Sequence, residues 1–140
     1  MKKSSIITFI ALAALATAAA CKSTSNASTG KPIASTTINN LTATLSNSSG
    51  QLKQGDQEIT FAFTGSSGKP VDVGAVSLNF HMPAMGGMAA MNDAVTFTTT
   101  NTPGVYSGKV NIGMAGEWQA QLAYEGPAGN GKTTFSVTVR

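Results

Sequence analysis

The stretch His81-Met82-Pro83-Ala84-Met85-Gly86-Gly87-Met88-Ala89-Ala90-Met91 concentrates the soft donor atoms of this chain. It holds the single histidine and four of the six methionines, and Met82, Met85, Met88 and Met91 recur at every third position. Met1 starts the chain, so Met114 is the one methionine left elsewhere. Thioether sulfur is soft and uncharged and suits Cu(I), and imidazole suits several transition metals. Several thioethers with one imidazole can hold Cu(I) without a thiolate, which is prone to oxidation outside the cell. The candidate metal ligands are therefore His81, Met82, Met85, Met88, Met91 and Met114, and the candidate ion is copper as Cu(I).

Packing offers a rival account of the same residues. Core side chains recur every two residues on a strand and every three or four on a helix. Pro83 and the Gly86-Gly87 pair oppose a helix here, so the stretch reads as a loop with no core to fill. Methionine is also an adaptable apolar filler and a common component of recognition surfaces. Parity sharpens the contrast. Met82 falls in register with Val76, Leu78 and Phe80, and Met114 with Tyr106, Val110 and Ile112, so either can be rim packing. His81 has the opposite parity and is expected to face outward or lie under the loop.

The elements that must position these donors follow from the rest of the chain. At 140 residues it makes one domain. Lys2 and Lys3 precede an apolar run from Ile6 to Ala20, too short for a stable bilayer span and suited to the core of a signal peptide. Ala18-Ala19-Ala20-Cys21 resembles a bacterial lipobox, in which Cys21 is lipidated; Ala18 departs from the larger aliphatic residue usual there. Residues 1–20 are thus expected to be a lipoprotein signal peptide, with ordinary signal cleavage as the alternative. Residues 21–35 read as the lipidated cysteine and a small, polar, flexible tether with a reach of about 20 Å. The expected location is the bacterial cell envelope, anchored through Cys21 and facing the periplasm or the exterior.

A single cysteine excludes an internal disulfide and a thiolate cluster. Without Lys2 and Lys3, seven Lys and Arg against six acids leave a charge of +1, and no basic stripe with interleaved aromatics argues for nucleic acid. Charged residues are only 11% of the chain, so Ser, Thr, Asn, Gln and Gly must cover most of the surface.

From residue 36 to residue 140 the pattern is one of short strands between turn signals. Expected strands are Thr36 to Ser46, Gln57 to Thr64, Ala75 to Met82, Asp93 to Thr100, Val105 to Ile112, Glu117 to Tyr124 and Lys132 to Val139. Seven such strands imply an all-β, single immunoglobulin-like antiparallel β-sandwich, with Trp118 as core filling. If each strand crosses the sandwich once, the methionine loop and the Met114 turn lie at one pole. The same count places the start of the first strand, and hence the tether, at the other pole, with the loop directed away from the anchoring membrane.

The run HMPAM-GGM, then Pro103-Gly104-Val105-Tyr106, then Met114-Ala115-Gly116-Glu117-Trp118-Gln119-Ala120, resembles the YtkA-like domain family, related to FixH-type domains. The resemblance spans roughly Ile38 to Val139. It implies a small immunoglobulin-like domain with a copper-related role and points to His81, Met85 and Met114 as family positions, with Met88 and Met91 as extras of this chain. A second histidine-containing motif, found in periplasmic copper chaperones, is absent here.

Two functions compete. One is an extracytoplasmic Cu(I)-binding lipoprotein, a chaperone or scavenger serving a membrane copper pump or an oxidase-assembly component. The other is a non-metal surface lipoprotein whose loop grips a protein partner. An enzyme is not expected: no Ser-His-Asp order, paired carboxylates or phosphate loop stands out.

Overall fold

A computed structural model describes residues 30–140. The expected signal peptide, Cys21 and the expected tether up to residue 29 lie outside the described residues. The described chain is all β, with nine strands: β1 (Lys31–Ile38), β2 (Leu41–Asn47), β3 (Gly55–Thr64), β4 (Ala75–Met82), β5 (Met91–Ala94), β6 (Thr96–Thr99), β7 (Val105–Ile112), β8 (Gly116–Gly126) and β9 (Gly129–Val139). They form two antiparallel sheets, ordered β1-β2-β3-β7-β6 and β5-β4-β8-β9, packed as a sandwich of the immunoglobulin-like type.

Alternation dictates the core. Ile59, Phe61 and Phe63 of β3 face Leu78 and Phe80 of β4 and Trp118, Ala120, Leu122 and Tyr124 of β8, all buried. Their neighbours Ser77, Gln119 and Gln121 are exposed, as a half-buried strand with period two requires.

Two expected strands are each divided in the structure. The run from Thr36 to Ser46 is a hairpin, because Asn39 and Asn40 take φ of 47° and 68°. Two consecutive left-handed residues, which Asn tolerates, form the two-residue turn whose twist matches a hairpin. The strand before that turn begins at Lys31, so Lys31 to Ser35, read as tether, pair with β2 (Lys31 with Asn47, Ser35 with Thr44). The run from Asp93 to Thr100 changes sheets at Val95. β5 pairs with β4 and β6 with β7, while the Val95 N–H still donates to Leu78 O at 2.9 Å. Gly108 permits this crossing: a Cβ there would stand 2.6 Å from Val95 Cγ1 and 2.8 Å from Phe97 Cε1.

The additional hairpin strand reverses the expected polarity of the chain's entry. Let the upper pole be the end where β4 and β7 finish. β3 starts there, with Gly55 opposite Ile112, and ends at the lower pole; β2 returns upward and β1 therefore runs downward. Ile33 and Ala34 share a surface hollow with Val137, Thr138 and Arg140, whose strand ends opposite Gly116 at the upper pole. Ile38 and Asn39 lie at the lower end, where Asn39 Nδ2 donates to Asn130 O at 2.9 Å. The chain thus enters from the upper half, toward the pole of the methionine loop, and the expectation of opposite poles is overturned. One unforeseen two-residue turn adds one crossing, and one crossing inverts every end before it.

Candidate functional site

The four methionines in series are two nested pairs of one hairpin. Met82 on β4 is the cross-strand partner of Met91 on β5. Nearer the tip, Met85 and Met88 form a bridge of their own: Met88 N–H donates to Met85 O at 3.0 Å and Met85 N–H to Met88 O at 3.3 Å. Gly86, at φ 58°, and Gly87 make the turn between them, at a backbone conformation that glycine adopts without strain. Directly opposed residues project to the same face of a hairpin, so the turn sets the Met85 and Met88 side chains together. Between the two pairs, residues 83–84 and 89–90 leave the ladder, which frees the tip to bend over the end of the sandwich. The spacing of three is the signature of this two-level hairpin, centred on Gly86-Gly87.

The tip closes against the turn between β7 and β8. Met82, Pro83, Met85, Met88, Ala89, Met114, Ala115, Gly116 and Glu117 line one cavity of about 140 Å³. Four thioether-bearing side chains from two stretches remote in sequence therefore share one small space. Met82 is the inner member, 5% exposed and part of the core, with its Cε 3.1 Å from where a Cβ of Gly116 would stand. Met85 and Met88 are the outer members, 63% and 49% exposed. Met114 is half-buried and packs against the core edge.

The Met114 turn is held by three side chains that sequence reasoning did not single out for it. Trp118 Nε1 donates to Met114 O at 3.0 Å, Gly113 N–H donates to Asp93 Oδ2 at 3.0 Å, and Gln54 Nε2 donates to Gly113 O at 3.0 Å. Trp118 is core filling, as expected, and its indole N–H is also the brace of this turn. The spacing of Trp118 four residues after Met114 is the one sequence signal that points to such a contact.

His81 and Met91 are not among the cavity-lining residues. Met91 faces inward below the tip, partly buried against the core, with its Cε 3.0 Å from where a Cβ of Gly113 would stand. His81 lies on the outer face of its sheet, as its parity requires, opposite Gln119. Its Nδ1 is 2.9 Å from Asn92 Oδ1, which also accepts from Asn79 Nδ2 at 3.2 Å. An amide oxygen can only accept, so His81 Nδ1–H is the donor in this contact, and in the neutral imidazole Nε2 carries the lone pair. Glu117, two residues before Gln119 on β8, shares that outer face and lines the cavity rim, so His81 stands on the face that borders the cavity.

The cavity is smaller than the roughly 300–1,000 Å³ typical of organic-ligand sites. Among the described residues no three His, Cys, Asp or Glu side chains converge as a ligand group, and the four methionines share their cavity with one carboxylate-bearing residue, Glu117. Comparison with curated proteins and with solved structures finds no match. The YtkA-like family model matches residues 35–123, from β1 through most of β8, and includes both the methionine hairpin and the Met114 turn. The chain belongs to the YtkA-like family.

Proposed function

We propose that this chain is an extracytoplasmic Cu(I)-binding lipoprotein of chaperone or scavenger type, with copper as its cargo. The convergence of Met82, Met85, Met88 and Met114 on one cavity carries the reading. Their sulfur atoms are neutral soft donors, a chemistry that selects Cu(I) over hard cations and holds it without a compensating negative charge. The three hydrogen bonds at the Met114 turn pre-organise one side of the site, and the Gly86-Gly87 turn pre-organises the other. His81 Nε2 is available as an imidazole donor at the mouth, and Met91 supports the tip from below. Exposed Met85 and Met88 leave the ion open to transfer, which suits delivery to a membrane copper pump or an oxidase-assembly component. The role is binding and handover, with no catalytic residue assigned. Cys21 lipidation would hold the domain at the cell envelope.

The test is anaerobic Cu(I) titration against a competing chelator. A Met85→Leu, Met88→Leu, Met114→Leu variant is expected to lose competition with the chelator while keeping its β-sheet circular-dichroism spectrum. Unchanged affinity in that variant refutes the site. The exposure of Met85 and Met88 also favours a second reading, a protein-interaction module that needs no metal. Partner capture that survives strict chelation, with no Cu(I) binding, selects that reading.

A further inference from the structure

We infer that the methionine pole faces the lipid bilayer that holds the anchor, with the Met85-Gly86-Gly87-Met88 tip resting on the bilayer surface. The inference deepens the copper reading and rests on lipidation at Cys21; it does not require copper to be bound.

Three observations carry it. β1 runs downward, so the described chain begins, at Gly30 and Lys31, in the upper half, where the tip also lies. Nine residues, Lys22 to Gly30, separate Cys21 from β1, and even fully extended they span no more than about 35 Å. As a coil, nine mostly small, polar residues have an expected reach of about 17 Å, shorter than the roughly 27 Å that the eight residues of β1 run from Lys31 to the lower end. A tie of that reach holds the upper pole nearer the lipid than the lower.

The surfaces of the two poles agree with this polarity. Met85 and Met88 are the exposed large hydrophobic side chains among the described residues, and both are at the upper tip. Positions 82–92 carry no Lys, Arg, Asp or Glu. The loops and strand ends of the lower pole are polar, with Lys69, Asp72, Glu125 and Lys132. A neutral apolar tip can sit at an interface that the charged lower pole would avoid. Lys31, Lys53 and Arg140 in the upper half are balanced by Asp56, Asp93 and Glu117, so contact should not depend on anionic lipid. The functional consequence is that the cavity opens toward acceptors embedded in the same membrane.

The experiment uses the lipidated protein, with methyl-labelled methionine and ¹⁵N-labelled amides, in phosphatidylcholine nanodiscs doped with a paramagnetic lipid. Line broadening of the Met85 and Met88 methyls is expected to exceed that of the Gly68 and Asn101 amides at the lower pole several-fold. It should be the same with and without anionic lipid. A Met85→Ser, Met88→Ser variant should stay in the nanodisc through its anchor while broadening near Ala84 and Ala89 falls. Equal or reversed broadening at the two poles overturns the inference, as does failure of the native protein to enter the nanodisc. Addition of Cu(I) separates the two readings: methionine methyls that do not shift refute copper binding and leave the orientation result standing.

Discussion

Met82→Leu separates packing from ligation at the inner member of the cavity. Met82 is 5% exposed and lies in the core cluster beside Gly116, so its truncation to Ala should cost about 2–5 kcal/mol of stability, which confounds any loss of binding. Leucine conserves the volume and should cost less than about 1.5 kcal/mol while deleting the sulfur. If Met82 donates to Cu(I), the variant should bind at least about tenfold more weakly, or about 1.4 kcal/mol. Urea unfolding at fixed free Cu(I) reads both quantities. At a free-ion concentration of about one hundred times the native dissociation constant, binding should add about 2.7 kcal/mol to the native protein. At the same concentration the tenfold weaker variant gains only about 1.4 kcal/mol. The copper-dependent increment should therefore halve while the copper-free midpoint moves little. An undiminished increment in Met82→Leu refutes ligation by Met82 and reassigns it to the core alone.

Other perturbations probe the support of the site and the fold. Asn92→Leu removes the acceptor of His81 Nδ1–H, so long-range ¹⁵N spectra should show the Nδ1–H form of the native protein giving way to a tautomer mixture; Asn92→Asp should preserve it. Copper affinity of Asn92→Leu should fall about tenfold or more if Nε2 is a donor. Tyr106 donates to Gly74 O at 2.9 Å and Asp72 Oδ1 at 3.2 Å, and burial, followed by the Asp72 charge, raises its phenol above the ordinary value near 10. The folded chain therefore holds this proton where the unfolded chain has lost it. The stabilisation is complete below about pH 10 and fades as pH rises through the folded value. Tyr106→Phe should cost about 1–2 kcal/mol at neutral pH and flatten the alkaline decline in urea midpoint. Gly108→Ala should destabilise by about 1–3 kcal/mol, because its new methyl meets Val95 and Phe97 where the chain changes sheets; an unchanged thermal midpoint would show that this crossing yields freely.

Alternation alone determined the sandwich. The buried series Ile59-Phe61-Phe63, Leu78-Phe80-Met82 and Trp118-Ala120-Leu122-Tyr124 are readable as period two, and all are inward in the structure. Counting crossings from the third expected strand onward also places Met114 beside the methionine loop, and Met114 does line one cavity with Met82, Met85 and Met88, though not with His81 or Met91. The spacing of the methionines was visible, but not its cause. Only cross-strand pairing reveals Met82–Met91 and Met85–Met88 as two levels of one hairpin, since a period of three belongs to neither regular element. Hydrogen bonds from Trp118 and Gln54 to the Met114 turn, and from its Gly113 amide to Asp93, join residues up to 59 positions apart, a distance over which local pattern carries no information. The polarity of the entering chain depended on Asn39 and Asn40. Local propensity admits them within a strand run or in a turn, and only pairing of Lys31–Ile38 with β2 selects the turn and so turns the methionine pole toward the entering chain.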